Sequence, residues 1–394
     1  MAGGLVDAGR TRGLDNALRT PVAAFFTLVF PTMFLVVICA IAGNAVVVKP
    51  DNQTALMIVT LAGHPVHAIR DIYFNDVSTK DYAAAGVVGN ATGKFAGYST
   101  IIRSDGTEGA SQPFTALAAR GLSWTSNHLQ RDRAKVHTTH LFSNDVWATG
   151  LPQVSAIVDG VTDIYDPRLG SPSTSRTTNN PALCIAHYLC ASFGLDADYA
   201  TEIDESALIA AANVCDERVL LSGNRTATVA SVSDANDWVV LSPDQPHADW
   251  GDGVRFSTGS PGSLPGGLVG GVTYYAIPLY EGDATTGQII QLATTYANAM
   301  ARTPMTISSA SGSGTVTMTS YDEPRYRLNG AFALTEKPQV VLERMLMAMA
   351  GKLVNSGGVW FIYAGAYTTP TLSLDEDDFA AGIELQTNTS RRDN

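Results

Sequence analysis

Along most of this chain apolar and polar positions alternate over short runs, and Gly, Pro, Asn and Asp separate the runs. That is the pattern of half-buried strands joined by turns. "ALMIVTLAGHPVHAIRDIYFND" reads as a strand, a turn at Gly63, His64 and Pro65, and a second strand ending at Asn75 and Asp76. Residues 77 to 125 are rich in Gly, Ser and Ala and read as a long excursion holding a small hairpin. "AKVHTTHLFSND" alternates as a strand, and "VSAIVDGVTDIYDPR" reads as a hairpin turning at Asp159 and Gly160.

Helical spacing takes over in three places. Residues 181 to 193 form the first predicted helix, with Asn179 or Asn180 as cap, Pro181 in the first turn and Gly194 as the stop. "DESALIAAANVCDE" follows, with Asp204 as cap and Leu208, Ala211, Ala212 and Cys215 as its apolar stripe. "EKPQVVLERMLMAMAGKLV" carries Val341, Leu342, Met345, Leu346 and Met349 on one face and ends at Gly351. This Met-rich stripe is read as core rather than as a partner-binding face. "EPRYRLNGAFAL" and "GGVWFIYAGAY" read as strands on either side of that helix.

Two stretches break the pattern. Residues 222 to 320 hold alternating runs between repeated Gly and Pro turns and close on the Ser/Gly hairpin of "TPMTISSASGSGTVTMTS". They read as an inserted all-β module with its own small core, whose ends lie close together and whose excision should leave the rest folded. Residues 21 to 48 carry no charge, with Arg10, Arg12 and Arg19 before them and Lys49 after. About 20 apolar residues suffice to cross a bilayer. The same stretch is rich in Val, Phe, Ile and Thr and contains Pro31, which suits buried strands instead. The chain therefore divides into a hydrophobic segment (1–50), a first region (51–221), the inserted module (222–320) and a continuation of the first region (321–394). The fold class is α+β, mostly β, with two or three short helices.

Composition narrows the function. The net charge over 394 residues is -12. That argues against sequence-specific nucleic-acid binding through a basic face and suits a surface along which DNA slides. Four cysteines make no disulfide framework. Cys184, His187 and Cys190 fall at three-residue steps on the first helix, over an arc of about 120°. The outer pair is too far apart for one tetrahedral zinc unless Cys215 or another ligand folds in. The competing reading makes them packed core with Leu183 and Ala186. His137 and His140 fall on opposite faces of a strand, and His64 and His67 flank a turn. The contiguous acids Asp375 to Asp378 lack the spread of a calcium loop and suit the start of a helical turn. With no catalytic motif in the chain, no catalytic, cofactor-binding or metal residue is assigned, and the protein is read as no enzyme.

Several blocks resemble a known family. "YDPRLGSPSTSRTTNNPALCIAHYLCASFGLDADYATEIDESALIAAANVCDE" is similar to the hub region of the central tail-tip proteins of lambda-like long-tailed phages. "RYRLNGAFALTEKPQVVLERMLMAMAGKLVNSGGVWFIYAGAY" and the terminal "SRRD" resemble later parts of that region, and "LAGHPVHAIRDIYFND" and "LPQVSAIVDGVTDIYDPR" resemble earlier ones. Within the insert, "LPGGLVGGVTYYAI" and "LATTYANAMARTPMTI" are similar to a β-module that recurs in phage virion proteins. The resemblance implies tail-hub domains in a homotrimer at the distal end of the tail. Its partners would be tail-tip, tail-tube and tape-measure proteins, and it would contact the host envelope. Two departures stand out: residues 21–48 replace an expected polar strand, and the sequence stops at "SRRDN", where the family continues, as in a truncated or N-terminal version. Asp159, Asp163, Asp166 and Asp375 to Asp378 are expected on turns, where they would give a trimer an acidic or neutral lumen. The alternative is a membrane-anchored surface or adhesion protein, with 21–48 as anchor and the β insert as binding module.

Overall fold

The computed structural model describes residues 32–33, 39–42, 44–48, 53–81, 83, 86–107, 130–169, 175–243, 245, 247–282, 286–308 and 312–366. The chain there is mostly β, with short helices among antiparallel sheets.

Two sheets come first. Thr54–Thr60 lies inside a five-stranded sheet between Asn44–Val48 and Lys135–Leu141, continued by Ser99–Ser104 and Val88–Asn90. Ala68–Phe74 lies in a four-stranded sheet with Val154–Asp159, Cys39–Ala42 and Val77–Ser78. Both central strands are buried along nearly their whole length, so apolar residues fill successive positions rather than alternate ones. Ile69, Ile72, Phe74, Val136 and Val158 share one core between the sheets.

The hydrophobic segment enters these sheets. Cys39–Ala42 pairs with Val154–Asp159, Asn44–Val48 pairs with Thr54–Thr60, and Thr32–Met33 pairs with Phe332–Ala333. Residues 1–31, 34–38 and 43 lie outside the described residues. No helix among the described residues is long and apolar enough to cross a membrane.

The hairpin expected at Asp159 and Gly160 does not form. Val154–Asp159 pairs instead with two distant strands, and Ile164–Tyr165 pairs with Ser175–Arg176. Asp159 is buried rather than at a turn, because its carboxylate is held by arginines from elsewhere in the chain.

The helices follow their caps. Asn180 accepts hydrogen bonds from Ala182 N at 3.1 Å and Leu183 N at 3.4 Å, opening Pro181–Cys190. That helix stops three residues short of the predicted end. A Cβ on Gly194 would lie 1.7 Å from the Tyr188 carbonyl oxygen, so the chain folds back over the helix only with glycine there. Asp204 caps Glu205–Asp216, and Leu208, Ala211, Ala212 and Cys215 are buried as the stripe requires. In Pro338–Met347 the residues Val341, Leu342 and Met345 face the same core, while Met347 is exposed. "EPRYRLNGAFAL" is only partly strand: the preceding strand ends at Pro324, and just Phe332–Ala333 pairs again. The last hairpin, Lys352–Ser356 with Val359–Tyr363, turns at Gly357 and Gly358, both at positive φ.

Between the helices sits a closed antiparallel barrel. Its strands, in order around the ring, are Arg218–Ser233, Trp238–Leu241, Ile289–Ala293, Tyr274–Tyr280, Gly253–Thr258 and Val316–Pro324. Strict alternation in Val316–Pro324 puts Val316, Met318 and Ser320 inside. Register shifts in Arg218–Ser233, against both neighbours, let one long strand bend around the ring. The expected Ser/Gly hairpin does not close the module; Val316–Pro324 pairs with Arg218–Ser233 and Gly253–Thr258 instead. The module is also not purely β, since Thr295 caps the short helix Tyr296–Met300.

The barrel enters and leaves at one place. Arg218 is the register partner of Pro324. Arg325 N donates to Glu217 O at 2.8 Å, Tyr326 N to Cys215 O at 3.1 Å and Leu328 N to Asn179 O at 2.9 Å. The barrel is nonetheless not self-contained. Trp250 and Met300 belong to the same core as the helices, and removing the barrel would remove both.

Candidate functional site

The residues singled out in the sequence do not meet at one centre. His137 and His140 are buried in one strand. Burial lowers His137 to about 3 and His140 to about 4. Ser99 Oγ lies 2.9 Å from His140 Nδ1, a hydroxyl–imidazole contact. An imidazole with so low a pKa is a weak base at neutral pH, and the pair is closed in by Phe74 and Trp147. The contact is structural, and it has a pH consequence. Above pH about 6.5 both folded and unfolded chains hold this imidazole neutral. As pH falls towards about 4 only the unfolded chain takes up the proton, so stability is lost over that window. Replacing His140 by Gln should therefore flatten the fall in unfolding free energy between pH 7 and pH 5, by about 2 kcal/mol. Urea melts at the two pH values read this directly; equal slopes for both proteins would contradict it.

Cys184 and Cys215 are fully buried and Cys190 is half-buried, all three as free thiols. Burial pushes the Cys215 thiol up to about 12 and the Cys184 thiol higher still. Cys184 Sγ points at the Thr178 carbonyl, 3.7 Å away, and Cys215 Sγ lies 3.9 Å from Met349 Sδ. These thiols are held protonated and pack as small apolar groups. Cys184→Ala should cost about 1–2 kcal/mol through the small cavity it leaves. Cys184→Ser should cost more, because a hydroxyl meets only one acceptor there. Chemical denaturation of both variants checks the order.

The charged residues concentrate where the sheets, the helices and the barrel meet. Arg70 lies at the bulge of Ala68–Phe74, on the face opposite the core residues Ile69, Ile72 and Phe74, and is almost fully enclosed. Its Nε lies 3.0 Å from Asp159 Oδ1, and its Nη1 donates to the Pro278 carbonyl and to Glu281, each at 3.1 Å. Arg302 pairs with the other oxygen of Asp159, and its guanidinium lies 5.0 Å from the Trp250 ring. Burial pulls Arg302 down to about 10, against the attraction of Asp159. The His67 ring stacks on the opposite partner of that cluster, Trp250, with centroids 6.4 Å apart, and burial lowers its pKa.

A second ionic group lies along the barrel's exit. Arg327 pairs with Asp252 and, at 3.4 Å, with Asp249. Burial and the neighbouring Asp252 push Asp249 up to about 7. Arg218 holds Asp322 and donates to the Gly251 carbonyl at 2.9 Å, with Tyr275 and Tyr296 under its guanidinium. The arrangement joins the units by buried charge, and its cleft, about 390 Å³, opens between Arg70, Arg103 and Arg302 and the barrel residues Trp238, Leu279 and Gln291.

These positions correct one expectation. Asp159 and Asp166 are fully buried, the first with Arg70 and Arg302 and the second 2.9 Å from Arg168. Neither can line a lumen. Asp163 is exposed, and Asp375 to Asp378 lie outside the described residues. Among the described residues no group of three His, Cys, Asp or Glu side chains is placed to hold a metal.

No known protein family matches the chain, and no curated protein matches it.

Proposed function

We propose that this is a structural virion protein of a long-tailed phage, a tail-tip hub component that closes the tail tube and takes part in host attachment and genome delivery. The observation that carries the reading is the junction at Arg218 and Pro324. The blocks resembling the hub region lie on both sides of the barrel, and Cys215, Glu217, Arg325 and Tyr326 bond them to each other across it. A module entered and left through paired strands is how an extra domain sits in a continuous scaffold.

The partners in this reading are two further copies of the chain, the tail-tube and tail-tip proteins and the tape-measure protein. Tyr98, Leu141 and Phe142 are exposed together at one end of the five-stranded sheet, where Leu141 N donates to Tyr98 O. Such an apolar group suits a contact with another tail protein. The net charge of -12 leaves a passing duplex unheld. No enzymatic activity is part of this reading. The alternative of a membrane-anchored surface protein rested on residues 21–48 as a span, and Cys39–Ala42 and Asn44–Val48 are paired strands of the two sheets.

Native mass spectrometry of the chain co-expressed with tail-tip partners tests the proposal. A complex holding three copies is expected. A chain that never joins the complex, or one retained in carbonate-washed membranes, would overturn it.

A further inference from the structure

The helix Pro338–Met347 is apolar on two sides. Val341, Leu342 and Met345 turn to the core that it shares with the other helices. Val340 and Met347 turn away from that core, and Met347 is 66% exposed. The two lie on one stripe, two turns apart, with Arg344 between them. Arg344 pairs with Glu336, which also accepts from Ala333 N at 3.1 Å. The turn that carries exposed Leu334 is thereby drawn against the same stripe. The outer side of a surface helix is ordinarily polar. Here Leu334, Val340 and Met347 gather around a single ion pair instead.

Strand register says what lies beside that face. Thr32 pairs with Ala333 and Met33 with Phe332, antiparallel. The chain before Thr32 therefore heads along the chain after Ala333, past Leu334 and towards the start of the helix. That stretch is residues 21–31, "PVAAFFTLVFP", which carries no charge and has Thr27 as its one polar side chain. Reach is sufficient. A helix of 10 residues is about 15 Å long, a distance that about five extended residues cover. Apolar side chains gain by leaving water, and the exposed stripe is the nearest apolar surface to the point where this segment is tied. A segment joined directly to a paired strand also meets its neighbour at an effective concentration that a second copy does not match.

We propose that residues 21–31 fold back over the outer face of this helix in the same chain and cover Leu334, Val340 and Met347. The uncharged segment thus has an intramolecular seat. The assignment rests on the pairing at Thr32 and on the exposed stripe, so it and the tail-hub reading can fail separately.

Photo-cross-linking of the full chain tests it, with p-benzoylphenylalanine in place of Met347 and, as a comparison, in place of exposed Val269 in the barrel module. Peptides from residues 21–31 joined to position 347, in a product of monomer mass, are expected, and none joined to position 269. A second variant carries Val340→Lys and Met347→Lys. Both positions are exposed and lysine is a good helix former, so the far-ultraviolet circular dichroism should stay as in the parent. Chymotrypsin should cut after Phe25 and Phe26 about fivefold faster or more, because cleavage follows the undocked population. Cross-links to 21–31 found only at twice the monomer mass would make a second copy the occupant and overturn the assignment. Cross-links from 347 to other segments alone, or cleavage as slow in the double variant as in the parent, would overturn it as well. So would flotation of the parent chain with phosphatidylcholine–phosphatidylglycerol vesicles, which would put the segment in a membrane.

Discussion

Replacing Asp159 by Asn should destabilise the protein by about 3–5 kcal/mol, the usual cost of stripping one partner from a buried ion pair. The carboxylate is fully enclosed and touches Arg70 and Arg302 at once. Arg70 keeps Glu281 and the Pro278 carbonyl after the change. Arg302 keeps only the Trp250 ring among these contacts, so the loss falls chiefly on it. Replacing the whole group, as Arg70→Met, Asp159→Leu and Arg302→Met together, should recover much of the loss, because the desolvation cost of all three charges disappears. Urea denaturation of the single and triple variants measures both. A single variant within about 1 kcal/mol of the parent would mean that water already shares this site.

Trp250→Ala should cost a similar amount, about 3–5 kcal/mol. Trp250 is fully buried, donates from Nε1 to the Ala299 carbonyl at 2.7 Å, and lies between the barrel and the helical core. Truncating it opens a cavity there and takes away the surface under His67 and Arg302. The same contact reverses the expectation that residues 222–320 can be excised. A Gly/Ser linker in their place deletes Trp250, Met300, Glu281 and Arg302 together, so the shortened chain should lose its cooperative melt. Thermal unfolding followed by circular dichroism decides the point: a sharp transition near that of the parent would show the barrel to be dispensable.

What the sequence made legible was local. Asn180 and Asp204 mark helix starts because a cap acts within three residues of itself, and the stripe from Leu208 to Cys215 lies on a single element. Alternation located most strands for the same reason. Pairing was another matter. The dipeptide Asp159–Gly160 carries a strong hairpin signal, yet the partners of that strand lie at 39–42 and 68–74. The charged junction was missed altogether, since Arg70, Asp159, Glu281 and Arg302 are far apart along the chain and none belongs to a motif. One signal was available. In "AIRDIYF" Ile69, Ile72 and Phe74 reach one core only if the strand bulges between 69 and 72, which turns Arg70 to the other face, and a strand covered on both faces buries that guanidinium as well. A buried arginine demands a buried acid, and only the fold could say that the acid was Asp159.

The shared doorway of the barrel also governs how the molecule carries load. Tension applied along the chain reaches Glu217 and Arg325 before it reaches any barrel strand. Those residues are joined by a main-chain hydrogen bond of 2.8 Å and by a side-chain ion pair of 2.7 Å, and Tyr326 and Cys215 add a second link alongside. The pull therefore bypasses the barrel, which hangs from the load path like a bead on a knotted loop. Only when that knot gives way does force begin to unzip Arg218 from Pro324, one rung at a time.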